Sequence, residues 1–166
     1  MAQITRYGSP IHTNGELPEV GSAAPDFRLV DADLNDVTLA SFKGKKKLLS
    51  IVPSLDTPTC SLSTKKFNEQ AAAYPNAMML IVSADLPYAQ KRFCAAEGTG
   101  QVMALSMMRS RQFARDYGVL IVDGPTEGIT ARAVIVIDEN DRVAHTELVP
   151  EIRQEPDYEA ALAALK

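Results

Sequence analysis

An apolar run, Leu48-Leu49-Ser50-Ile51-Val52, stops at Pro53, and a helical pattern begins within a few residues of it. Such a run has the profile of a buried strand, ended by a proline that cannot donate to a sheet ladder. Beyond it Phe67, Ala71 and Tyr74 recur at helical spacing, and Cys60, seven residues before Phe67, falls on the same face. Pro58 suits the first helical position, where an N–H would have no intrahelical partner, and Asp56 or Thr57 can cap the helix. A second apolar run of strand length, Ala77 to Val82, follows. Strand, helix and buried strand in succession restrict the chain to folds in which helices cover a sheet.

The rest of the chain fits that frame. Residues 3–13 carry two β-rich segments around Gly8-Ser9 and predict an N-terminal hairpin, followed by a Gly- and Pro-rich loop over Asn14 to Pro25. Phe27 to Val30 and Asp36 to Leu39 are predicted strands, and Phe42-Lys43-Gly44 ends a short helical turn. Asp85 is positioned to cap a second helix with Pro87 in its first turn, Leu86, Ala89, Phe93 and Ala96 on one stripe, and Gly98 as the stop. Cys94 is one residue off that stripe, a partly exposed shoulder. Gln101 to Ser106 is a further strand, Ser110 to Tyr117 a third helix, and Ile121 to Ile129 a turn-rich loop. Ala131 to Ile137 and Val143 to Leu148 flank the turn residues 138–141 as an antiparallel hairpin, and Pro156-Asp157 starts a last helix carrying Tyr158, Ala161, Leu162 and Leu165. The expected fold is an α/β sandwich with a mixed central sheet, one domain over residues 1–166 with the hairpin of residues 3–13 inside it.

Seventeen basic against twenty-one acidic residues, net charge −4, argue against a nucleic-acid or anionic-membrane surface, and the Lys45-Lys46-Lys47 cluster is expected to solvate a strand end. The N-terminal residues lack the apolar core of a secretory signal, and no apolar run approaches the ~20 residues of a membrane span, so a soluble, cytoplasmic protein is expected. In a reducing compartment two cysteines are more often catalytic or redox-active than structural. They are too few and too far apart for a zinc site, and His12 and His145 have no ligand-like spacing to either, which predicts surface histidines.

Cys60 in a helix's first turn has two interpretations. Unpaired N–H groups and a partial positive charge favour a thiolate there, which is nucleophilic; alternatively the side chain is a small buried hydrophobe. Arg132 is the second unusual residue, because Ala131, Ala133, Val134, Ile135, Val136 and Ile137 around it are apolar. Its guanidinium must either reach solvent at a strand end or face a negative group, a Cys60 thiolate being one option. Thr57, three residues before Cys60, could hold an oxygen beside the sulfur or simply cap the helix. Together these groups suit attack on the O–O bond of a hydroperoxide, with no metal or organic cofactor required.

The pattern Pro53-x-x-x-Thr57-x-x-Cys60 resembles the signature of peroxiredoxins, in the version of the bacterial thiol peroxidases, which are atypical two-cysteine members. The resemblance runs nearly end to end, through Asp36 to Leu39, Ser83 to Pro87 with Arg92-Phe93-Cys94, Ala131 to Asp141 and Pro156 to Lys166. It implies a thioredoxin-like fold with an added N-terminal hairpin, and a homodimer. It further implies that Cys60 is the peroxidatic cysteine, that Thr57 and Arg132 orient the peroxide, and that Pro53 shields the sulfur. Cys94 would be the resolving cysteine of an intrachain disulfide reduced by thioredoxin. Thr59 and the pair Met107-Met108 are less usual at their places and bear on substrate preference. A thioredoxin-like disulfide carrier is disfavoured, since Thr57 stands where the first cysteine of Cys-x-x-Cys would be, and a cysteine hydrolase lacks a histidine partner. A redox-sensing binding or holdase protein is the alternative from another class.

Overall fold

The computed structural model, which describes residues 1–166, opens on a two-stranded hairpin of β1 (Gln3–Arg6) and β2 (Ser9–His12). The register pairs Arg6 with Ser9, so the turn is Tyr7-Gly8, one residue earlier than the sequence suggests. Both turn residues have positive φ, 50° and 81°. That conformation matches the twist of the flanking strands and usually selects Asn-Gly. A tyrosine there costs about 1–2 kcal/mol against an ordinary backbone conformation.

Along the chain follow β3 (Leu29–Val30), β4 (Asp36–Val37), a 3-10 turn (Leu39–Phe42), β5 (Lys46–Ile51) and α1 (Pro58–Ala71). Then come β6 (Ala77–Ser83), α2 (Pro87–Glu97), β7 (Met103–Ser106), α3 (Gln112–Asp116), β8 (Ala133–Ile137), β9 (Val143–Leu148) and α4 (Tyr158–Ala163). Seven strands form one sheet in the order β4-β3-β7-β6-β5-β8-β9. β6 runs parallel to β5 and β7, and the other pairings are antiparallel, giving the expected mixed sheet. No helix is long and apolar enough to cross a membrane.

Alternate residues of β5 feed two separate cores. Leu48 joins Cys60 and Phe67 of α1 and Ala161 of α4 on one face, while Leu49 and Ile51 join Phe113 of α3 and Tyr117 on the other. Phe67 meets Tyr158 edge-on at 5.2 Å between ring centroids, which locks α1 to α4. Phe27, expected in a strand, lies just before β3 and packs edge-on against Phe113. Gly118 (φ 70°) ends the α3 segment where a Cβ would stand 2.0 Å from the Glu16 carbonyl oxygen, so no other residue fits.

Three expectations change. Lys47 does not solvate a strand end: it is fully buried, and its ammonium donates to Asp141 and to the Asp138 carbonyl across the sheet. The inward face of α2 is not the Leu86, Ala89, Phe93, Ala96 stripe. Pro87 and Gln90 are buried instead, because the Gln90 amide donates to Ser83 Oγ and the Leu105 carbonyl at the ends of β6 and β7; of the stripe only Phe93 packs on the core, half-buried, while Leu86, Ala89 and Ala96 are exposed. Cys94, four residues beyond Gln90, lies half-buried beside that inward face. The histidines are not plain surface residues either. His12 Nδ1 is 2.7 Å from Asp123 Oδ2, and His145 is half-buried on β9.

Two carboxylates pin the hairpin to the body. Asp123 accepts from the His12 backbone and ring, and Glu151 accepts from the backbone of Gly8 and Arg153 and from Thr5 Oγ1. These bonds hold both carboxyl groups below their ordinary values of 3.8 and 4.5. A depressed folded-state value stabilises above the unfolded one and is lost as pH falls through it. The protection of the Thr5, Gly8 and His12 amides, read as exchange relative to each amide's intrinsic rate at the same pH, is therefore expected to fall as pH drops below 4.5 and then 3.8, before the sheet core opens. Uniform loss of protection across hairpin and sheet would contradict this.

Candidate active site

Cys60 is the third residue of α1 and has no exposed surface. Thr57 occupies the N-cap, yet neither it nor Asp56 caps through its side chain. The Thr57 hydroxyl donates instead to the Ser54 carbonyl at 2.9 Å, leaving its oxygen free to accept. Early α1 is unusually rich in poor helix formers, with Thr59, Cys60, Ser61, Ser63 and Thr64 within seven residues. Ser63 Oγ and Thr64 Oγ1 both donate back to the Cys60 carbonyl, at 3.1 and 2.8 Å.

The loop leading to Cys60 is held by Asp85, which does not cap α2; the N-cap there is Leu86. Asp85 Oδ1 accepts from Ser54 Oγ, and Oδ2 accepts from the Leu55 backbone and Ser83 Oγ, each at 2.8 Å. An acidic residue just after a strand satisfies the signature of a helix cap, and only the loop packed across from it reveals the other use. In Asp85→Asn an NH2 group would face N–H and O–H donors, so we expect about 2 kcal/mol of destabilisation, measured as a lower denaturant midpoint. An unchanged midpoint would show that these bonds contribute nothing net.

Arg132 lies one residue before β8 and is only 3% exposed. Its Nη2 donates to Cys60 Sγ at 3.3 Å and to the Ile152 carbonyl at 2.9 Å, and Nε donates to the same carbonyl at 3.2 Å. Of the two options open in the sequence, the guanidinium faces the sulfur and does not reach solvent. The guanidinium makes no salt bridge to a carboxylate, so the sulfur and the Ile152 carbonyl are its partners. Its Nη1 is buried and has no protein partner.

Arg132, Thr57 and Pro53 line one cavity of about 260 Å³, with Thr126, Ile152 and Arg153 among the other walls. The sulfur is buried and meets this cavity through the guanidinium. Four of the five residues singled out in the sequence are thus brought together. Cys94 is not: it lines a different cavity, beside Gln90 and Thr99, and both thiols are free. The two helices are nevertheless neighbours, joined by Lys65 to Glu97 at 2.8 Å and by the Gln101 backbone donating to Asn68. Sequence alone misses Asp85 as a loop anchor, the Ile152 carbonyl and Thr126, because each reaches the site across the fold without a local motif.

The arrangement offers a sulfur nucleophile, a hydroxyl acceptor and a free guanidinium N–H around one small cavity. The Redoxin family profile matches residues 19–162 of the chain. A protein of Mycobacterium tuberculosis named thiol peroxidase is 58% identical over 165 residues, covering 99% of both chains, and a Mycobacterium bovis protein of the same name matches equally. Among solved structures, a peroxiredoxin-like protein from Aquifex aeolicus superposes with a TM-score of 0.93 at 39% identity, covering 99% of this chain and 96% of that one. A thiol peroxidase from Chromobacterium violaceum superposes with a TM-score of 0.92 at 26% identity and the same coverage.

Proposed function

The chain belongs to the Redoxin family and, within it, to the thiol peroxidases of the peroxiredoxin type, with their thioredoxin-like fold; from that membership we propose that it reduces hydrogen peroxide and organic hydroperoxides through Cys60. The observation that carries this is the buried Arg132 guanidinium, with one nitrogen 3.3 Å from Cys60 Sγ and the other without a protein partner, in a residue that lines the cavity. The Cys60 thiolate attacks one oxygen of ROOH, the O–O bond breaks, and the leaving oxygen takes a proton and departs as ROH. Cys60 is left as a sulfenic acid. Arg132 Nη1 donates to the peroxide as charge builds on the leaving oxygen, which takes its proton from solvent, the Thr57 oxygen accepts a hydrogen bond from the peroxide O–H, which stays on the sulfenic oxygen, and Pro53 keeps bulk water from the sulfur.

Cys94 then attacks the sulfenic sulfur, expelling the hydroxyl as water and forming an intrachain disulfide. A dithiol of the thioredoxin type returns both thiols by two-electron exchange. Free thiols of this kind suit a reducing, cytoplasmic setting and a role in antioxidant defence. Leu86 and Tyr88, 53% and 69% exposed at the N-terminal end of α2, suit a homodimer, and the whole chain acts as one domain. One equivalent of hydroperoxide should remove both thiols and two hydrogens from the reduced protein, and turnover should continue with thioredoxin and its reductase. Retention of both thiols would overturn the proposal, and a single equivalent consumed without cycling would favour a redox sensor.

Disulfide formation requires Cα atoms within about 7 Å and side chains that face each other, whereas Cys60 is fully buried in α1 beside Arg132 and Cys94 lines a cavity with Gln90 and Thr99 on α2, so we expect a helix segment to unwind. The run of Thr, Cys and Ser in early α1 lowers its helix propensity by about 2–3 kcal/mol relative to alanine, making this the segment that yields. In the disulfide form we therefore expect amides of residues 60–66 and 90–98 to exchange at least ~10-fold faster than in the dithiol form. Equal protection in both forms would exclude unwinding.

A further inference from the structure

The cavity beside Cys60 is cationic in a chain of net charge −4: Arg6, Arg132 and Arg153 line it and no acidic residue does. Arg132 is engaged with the sulfur and the Ile152 carbonyl. The other two guanidinium groups lie against the ring of Tyr7, with Cζ at 4.7 Å for Arg6 and 4.4 Å for Arg153 from its centroid. Tyr7 is 58% exposed and the Arg153 side chain 59%, so this assembly forms the outer part of the cavity.

Several details suggest a built feature and not a chance crowding of charge. Tyr7 holds a left-handed backbone (φ 50°) at a turn position that asparagine occupies at lower cost. The Arg153 main chain is fixed on both sides, its N–H donating to Glu151 at 2.7 Å and its carbonyl accepting from Thr59 Oγ1, next to Cys60, at 3.0 Å. No carboxylate lies within 4 Å of Arg6. Glu151 comes no nearer the Arg153 side chain than 3.7 Å, and its oxygens are already taken by the Gly8, Arg153 and Thr5 donors. Thr126 Oγ1, on the wall of the same cavity, is buried without a partner and can donate or accept.

We propose that this cavity selects short organic hydroperoxides that carry a carboxylate, with the peroxide end at Cys60 and Arg132 and the carboxylate on the Arg6 and Arg153 guanidinium groups. The proposal rests on the peroxidase function above and names its substrate class. A carboxylate can be gripped by two guanidinium forks, whereas a neutral ester of the same shape cannot. The cavity of about 260 Å³ limits the molecule to a short one. Thr126 is placed to bond a polar atom between the two ends.

The test compares the rate of Cys60 thiol loss with 4-hydroperoxy-4-methylpentanoate and with its methyl ester, using hydrogen peroxide to show that Cys60 is competent. In the wild type the acid should react about tenfold faster than the ester, equivalent to about 1.4 kcal/mol. The ratio should fall toward one in Arg6→Gln/Arg153→Gln, be only partly kept in Arg153→Lys, which retains the charge but not the fork, and shrink on raising salt, since the charges are exposed. Because the ratio is internal to each protein, a general loss of reactivity in a variant does not obscure it. Equal rates for acid and ester in the wild type, or a ratio that survives the double variant, would overturn the proposal while leaving the peroxidase function intact. No thiol loss with any hydroperoxide, hydrogen peroxide included, would instead overturn the function on which it rests.

Discussion

Cys60→Ser is expected to abolish peroxide consumption, whereas Cys94→Ser should still react once and gain a single oxygen at Cys60. A serine oxygen in the same place does not ionise near neutral pH and cannot be oxidised by a peroxide, so the chemistry loses its electron pair. Sulfur and oxygen are close enough in size for the fully buried site to keep its packing, so the loss would be chemical and not a failure to fold. Cys94 lines a separate cavity, away from the Arg132 guanidinium, so its removal should leave the first step near its original rate and block only the disulfide. Intact mass and free-thiol counts after one equivalent of hydroperoxide read both effects. If the two variants react alike, the roles assigned to the cysteines are wrong.

Arg132→Met should slow the reaction of Cys60 with hydrogen peroxide by about 100- to 1,000-fold, the scale on which removing one preorganised donor from a developing oxyanion acts. Two contributions add. The attacking sulfur loses the guanidinium 3.3 Å away, and the leaving oxygen loses Nη1, which has no other partner. Methionine fills much of the volume and leaves no buried charge, which spares stability. Arg132→Lys should recover only part of the rate, since a point charge cannot reach the sulfur, the Ile152 carbonyl and a peroxide at once. Measuring single-turnover rates across pH separates the two contributions: a rate restored at high pH would mean that thiolate formation was the whole effect. A loss of less than fivefold in Arg132→Met would remove Arg132 from the chemistry.

Much of the site was legible one segment at a time. The stop at Pro53, the helical spacing of Cys60 and Phe67, and Pro58 at the first helical position all concern neighbours in sequence, and each keeps its place in the structure. The same holds for Asp157, which caps α4 by accepting from the Ala160 backbone. Signals of this kind fail where a side chain has a better partner across the fold. Asp85 has the credentials of a cap but braces the Ser54-Leu55 loop, and Lys47 belongs to a basic cluster but is drawn inside by Asp141. On α2, apolar periodicity is overruled by one glutamine amide that completes two strand ends.

What the sequence by itself determined is therefore the set of elements and the nucleophile's position at the start of α1, because backbone sterics, proline and side-chain periodicity act over a few residues. Taken alone, the strand favoured an Arg132 that reaches solvent and left the sulfur-facing one as the second option, since the strand's own residues do not say which face of the sheet will carry α1. Only the tertiary structure decided it. The antiparallel pairing of β8 with β5 brings Arg132, 72 residues from Cys60, to the start of α1. Burial then leaves the guanidinium no water to turn to, so it takes the sulfur and the Ile152 carbonyl as partners and leaves Nη1 without one.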